Sequence, residues 1–202
     1  MARIRDEESF QKKRLQILDV AAQCFIESGF HGTGMAKICK AAGISPGALY
    51  RYFPSKESMI EAIVEQERAD ADLFLADLAQ AKNKAKGLAK MMSDAVLFLA
   101  KTRSYCQLSV EISAEAARSE VIAQLLAETD TNLIEALMAA VEKGQVAGDI
   151  DETLAPETTA QLLMMMVDGF VGRLAVTTDW DVAAIARQVE VAVFKLLSAP
   201  VV

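Results

Sequence analysis

Glycine and proline are scarce in this chain, at 10 and 4 of 202 residues. A fold of many short strands needs a turn every few residues, so this scarcity argues against an all-β architecture. The abundance of Ala, Leu, Glu and Lys favours helices instead. Cys24, Cys39 and Cys106 are too few and too scattered for a disulfide framework or a zinc cluster. They fit a reducing, cytoplasmic setting. With His31 the single histidine, no second imidazole is available for a metal site. Gly29-Phe30-His31-Gly32 lacks the phosphate-loop pattern, and no serine sits in a nucleophile elbow. Cys106 has no base near it in sequence and reads as packing. We therefore expect no catalysis, no cofactor and no metal. The longest apolar runs, such as Leu162 to Val167, fall far short of the ~20 residues that span a bilayer. The charged opening, Met1 to Lys13, has no apolar stretch of a secretory signal. The expectation is a cytoplasmic protein with no membrane partner.

What the chain does have is an uneven charge. The net charge is −7, yet residues 1–56 carry nine Lys/Arg against five acids, and the remainder 12 against 23. A basic head on an acidic body suggests a polyanion-binding module joined to something else. With 52% hydrophobic residues the chain can also bury a core.

Apolar residues at Ile17, Leu18, Ala21, Ala22, Phe25 and Ile26 recur at spacings of three and four, which predicts a helix over about 8–27, ended by Gly29. Thr33 stands where an N-cap belongs, ahead of a short helix over 35–42 that Gly43 breaks. Ser45 and Pro46 open a second short helix that Pro54 stops. Ser55 begins a long helix to about 81. Further helices are expected over about 84–102, 104–117, 119–143, 156–177 and 180–198, with Thr178 or Asp179 capping the last. Gly144 and Gly148 mark a loop over 144–155. No stretch shows sustained two-residue alternation, so no sheet is expected.

The informative segment is Thr33 to Lys56. Two short helices meet at the turn Gly43-Ile44-Ser45, the layout of a helix-turn-helix. Ile38, Ala42, Ile44, Leu49 and Phe53 point inward, and Cys39 supplies the small side chain where the helices come closest. That leaves Pro46, Gly47, Ala48, Tyr50, Arg51 and Tyr52 outward, with Ser45 at the cap. Small residues let the backbone approach base edges, and the tyrosines offer hydroxyls and flat faces. Lys56 and Thr33, each at a helix start, form a phosphate clamp on either side.

These residues resemble the N-terminal DNA-binding domain of the TetR/AcrR family of transcriptional repressors. The resemblance rests on Ile17-Leu18-x-x-Ala21-x-x-x-Phe25, Gly29-Phe30, Thr33, Ile38, Ala42-Gly43-Ile44-Ser45, and Gly47 through Phe53 followed by Lys56-Glu57. It covers about a quarter of the chain. Gly34 departs from the hydroxyl residue often found after the Thr, and Cys39 from the usual Ala. The resemblance implies an all-α fold of about nine helices. A three-helix helix-turn-helix domain over 1–55 would precede a helical effector-binding and dimerisation domain over 56–202. It further implies a homodimer on a palindromic double-stranded operator, released when a small-molecule effector binds.

The effector pocket is then expected among the middle helices. Phe74, Met91, Phe98, Tyr105, Leu108, Ile112 and Met165 are its candidate walls, since Met-rich surfaces adapt to apolar ligands. Glu111, Glu115 and Asp168 sit among apolar neighbours and can face a ligand's polar group. The family places the dimer interface on the last two helices. The stripe Leu162, Met165/Met166, Gly169, Phe170 and Arg173 suits that role on one, and Ile185, Val189, Ala192, Val193 and Leu196 on the other. A monomeric core would show the same periodicity. Two other functions stay open on residues alone: a helical small-molecule carrier, or a protein–protein adaptor, each keeping a degenerate head.

Overall fold

The computed structural model describes residues 2–198, with side chains for 7–198 apart from positions 67 and 70. The side chains of Arg3 and Arg5 lie outside the described residues. Among the described residues there are nine helices and no strand: α1 (Ala2–Gly32), α2 (Met35–Ala42), α3 (Pro46–Tyr52), α4 (Glu57–Gln80), α5 (Lys84–Lys101), α6 (Arg103–Ala116), α7 (Glu120–Val146), α8 (Pro156–Val176) and α9 (Val182–Leu197).

The helix ends show local physical chemistry at work. α1 starts earlier than the apolar pattern suggests and continues past a kink at Gly29 (φ 68°, ψ 166°). Gly43 closes α2 in the left-handed region at φ 64°, a conformation that costs a β-carbon-bearing residue energy. Ser45 caps α3, its Oγ accepting from the Ala48 N–H at 3.2 Å. At the entry to α4, Ser55 and Ser58 exchange hydrogen bonds, each hydroxyl accepting from the other's N–H. α9 is capped by Asp181, which accepts from the Ala184 N–H at 2.9 Å, and not by Thr178 or Asp179. Val182 immediately after it is the first helical residue.

Gly144, expected to open a loop, stays inside α7. A β-carbon there would lie 2.5 Å from Ile150 Cδ1 and 3.0 Å from Lys84 Cβ. Its role is close approach, since it lets α7 press against the start of α5. Gly144→Ala is expected to lower stability by about 1–3 kcal/mol through overpacking. Chemical denaturation checks this, and an unchanged midpoint would mean that Ile150 moves aside freely.

The chain divides into two compact units, residues 1–66 with 108–126, and residues 67–107 with 127–202. The division falls differently from a cut after residue 55. The first unit's core explains why. Ile17, Phe25, Ile38, Leu49 and Phe53 are buried together with Met59, Ile60 and Ile63 from the start of α4. Leu108 and Ile112 from α6 and Ile122 from α7 complete it. The core of the three-helix head is thus continuous with residues of α4, α6 and α7.

The second unit packs Leu88, Met92 and Val96 of α5 against Leu137 and Val141 of α7, Leu163 of α8, and Val189 and Val193 of α9. A smaller cluster joins Leu99, Cys106, Leu174 and Ala175. Among the described helices α8 alone is long and apolar enough to cross a bilayer by length and composition. It is also a packed element of this unit, with Thr159, Ala160, Leu163, Leu174 and Ala175 buried.

Candidate nucleic-acid interface and ligand cavity

In the first unit, α3 buries Leu49 completely and turns its other faces outward. Ser45, Pro46, Gly47 and Arg51 are exposed, and Tyr50 is 52% exposed. Ala48 is half-buried. Tyr52 is half-buried too, because the Phe10 ring stacks on it with centroids 4.6 Å apart and 26° between planes. The Arg51 guanidinium lies 5.4 Å above the Tyr52 ring, and its Nη2 donates to the Tyr52 hydroxyl at 3.4 Å. The contribution of Phe10 was not legible in sequence, where it precedes the periodic part of the helix.

Of the two expected phosphate contacts, Thr33 is placed otherwise and Lys56 keeps donors to spare. Thr33 is fully buried, and its hydroxyl donates to the Cys24 carbonyl at 2.8 Å. A buried hydroxyl needs a partner, and this carbonyl of α1 satisfies it. Gly34, which has no side chain to cap with, takes the N-cap position. Thr33 thus ties α1 to α2 and offers no hydroxyl to a phosphate. Lys56 is half-buried, with Nζ donating to the Phe30 carbonyl at 2.8 Å and standing 4.2 Å above the Phe30 ring. An ammonium has three protons, so two remain for an anion.

Neighbouring groups fix the end of α1. The His31 Nε2 lies 2.9 Å from the buried Glu115 carboxylate of α6. The Glu111 carboxylate stands beside Gly29. Both acids, together with Leu108 and Ile112, therefore belong to the packing of the first unit and not to a ligand wall. Burial raises the Cys24 thiol above its ordinary range, which suits packing rather than chemistry. Cys39 and Cys106 are buried and reduced as well.

The second unit contains an apolar cavity of about 150 Å³. Phe74, Met91, Phe98 and Tyr105 share its wall with Leu133 and Val167. The Phe74 and Phe98 rings meet edge-on at 5.7 Å, as do Phe98 and Tyr105 at 6.2 Å. Met165 is 61% exposed and not part of this wall. Asp168 follows Val167 but is itself exposed. Partial desolvation raises the Asp168 carboxyl, and it raises that of Asp130, where the charge of Asp168 adds to the rise.

On α8, Leu162 and Met165 point outward along with Gly169 and Arg173. Met166 and Phe170 are half-buried against the unit's own core. On α9 the sequence assignment needs correction. Val189 and Val193 are buried in that core, because they share a face with Ala186 and Leu197. The large apolar residues α9 exposes are Val191 and Leu196, and Ala192 of the expected stripe is exposed beside them.

Residues 17–63 match the family described as bacterial regulatory proteins, tetR family. Residues 85–198 match the BetI-type transcriptional repressor C-terminal family. The chain belongs to the TetR family. The HTH-type transcriptional regulator UidR of Escherichia coli K12 is 30% identical over 88% of this chain and 86% of its own length. The fatty acid metabolism regulator protein of Bacillus subtilis is 26% identical over 88% of this chain and 91% of its own. Salmonella enterica GusR superposes with a TM-score of 0.78 at 30% identity, covering 92% of this chain and 95% of that one. This chain is accordingly a helix-turn-helix transcriptional regulator of the TetR family, and the carrier and adaptor alternatives give way.

Proposed function

We propose that this regulator is a cytoplasmic repressor that grips a palindromic operator as a homodimer and releases it when a small, mainly apolar molecule enters the cavity of the second unit. In this reading Ser45, Pro46, Gly47, Ala48, Tyr50 and Arg51 meet the DNA, Tyr52 is held in place by Phe10, and Lys56 meets a phosphate. Outward residues of α8 (Leu162, Met165, Gly169 and Arg173), with Val191 and Leu196 of α9, form the dimer contact. No catalytic step is involved.

The observation that carries this reading is the cavity walled by Phe74, Phe98 and Tyr105. Protein cores are packed nearly as densely as organic crystals, so an aromatic-walled void of this size marks a place reserved for something else. An effector shifts the equilibrium only by its differential affinity for two conformations. A coupling of ~1–3 kcal/mol weakens DNA binding about 5–150-fold, and operator must weaken effector binding by the same factor. Calorimetric titration of an effector with and without operator tests this. Equal affinities in the two titrations would exclude the switch. In the same assays DNA affinity must fall steeply with salt, as counterion release requires.

A further inference from the structure

The aromatic cavity has a neighbour. Leu75 lines it and also lines a second cavity of about 280 Å³ in the same unit. The two follow one another along α4 and α7. On α4 the wall passes from Phe74 and Leu75 to Leu78 and Ala79. On α7 it passes from Leu133 through Ala136 and Ala140 to Lys143, at spacings of three and four that keep one helix face on the groove. Ten residues of helix make the groove about 15 Å long at 1.5 Å per residue.

Its ends differ in charge. The far end carries Lys84 and Lys143. Lys84 is committed, since its Nζ donates to the carbonyls of Leu78, Ala79 and Ala81 at 3.2, 3.0 and 2.8 Å and so closes the C-terminus of α4. Lys143 is exposed, and its ammonium has no hydrogen bond or ion pair among the described residues. Lys82 and Lys86 flank Lys84 in sequence, so the lysines of the acidic body concentrate here. The Asp149 carboxylate, also near, is occupied by the Asn83 side chain and the Lys84 N–H. The lining of the aromatic end holds no charged side chain. Asp130 lies one turn before Leu133, and Asp168 follows Val167.

We infer that the two cavities form one bipartite site, and that the effector is an amphipathic anion. Its apolar part lies among Phe74, Phe98 and Tyr105, and its carboxylate or phosphate head lies at Lys143. This rests on the reading of the aromatic cavity as the effector site. An apolar void of about 150 Å³ is enough for a benzene-sized group, and the uncharged aromatic lining leaves Lys143 as the place for the head. Lys84 contributes fixed positive charge, and Lys143 supplies free donors.

Three probes test the assignment by calorimetry on the full-length protein: decanoate, decanoyl-coenzyme A and 1-decanol. Decanoate or decanoyl-coenzyme A should bind more tightly than decanol. Binding of decanoate identifies a carboxylate head, and binding of the thioester alone a phosphate head. Lys143→Glu should weaken the bound anion about tenfold or more and leave decanol unchanged, while Lys143→Arg should keep the anion bound. Circular dichroism melts confirm that both variants fold. If decanol binds as well as the anions and Lys143→Glu changes nothing, the bipartite site is overturned while the aromatic cavity stands. If Phe74→Trp, which fills the cavity, leaves all three probes bound, the cavity reading itself falls. No binding by any probe overturns both.

Discussion

Leu49→Ala should cost about 2–5 kcal/mol of stability, whereas Tyr50→Ala, one residue along, should cost almost none and weaken operator binding instead. The contrast follows from a helix of seven residues that presents opposite faces. Leu49 has no exposed surface and sits among Ile38, Phe53 and Met59. Its truncation removes buried methyl groups and leaves a void that rigid neighbours cannot refill. Tyr50 reaches into solvent, so its loss disturbs no packing. Chemical denaturation and fluorescence anisotropy with operator separate the two effects. A Tyr50→Ala protein that binds operator as tightly as the parent would move the reading face away from α3.

Gly169→Arg should abolish the dimer and lower operator affinity about 10²–10⁴-fold. Nothing lies within 4 Å of a β-carbon built at Gly169, so one chain accommodates the arginine without strain. Replacing a helical glycine even favours the helix slightly. The cost arises only where a second copy approaches the stripe of Leu162, Met165 and Gly169. A monomer reads one half-site and loses the gain of holding two at once. Sedimentation velocity gives the association state, and a gel shift gives the affinity. A variant that stays dimeric would place the interface on another face.

The helix-turn-helix was legible because its signals are local. Gly43 ends one helix, Ser45 caps the next, and Leu49 with Phe53 marks the inward face within a dozen residues. Where partners lie far away in sequence, the same reasoning failed. Thr33 looks like a cap until the Cys24 carbonyl, nine residues back, claims its hydroxyl. Leu108 and Ile112 look like pocket walls because periodicity gives a face and does not name what the face meets. Val189 and Val193 looked equally suited to a partner or to a core, and the core took them. Four aromatic and methionine positions of the cavity were picked by type alone, whereas Lys143 carried no such signal. Its interest comes from lying two turns beyond Ala136 on one helical face.

The first unit is built from two separate stretches of chain, since residues 108–126 return to complete it. The reading head is therefore not a portable module. A fragment ending at residue 66 would leave Phe25, Phe30 and Ile60 without Leu108 and Ile112 above them. Grafting residues 1–55 onto another body, as one would with a self-sufficient domain, should yield a sticky, partly melted segment. An engineer wishing to borrow this specificity must carry α6 and the start of α7 along with it, and with them the helices that continue into the second unit.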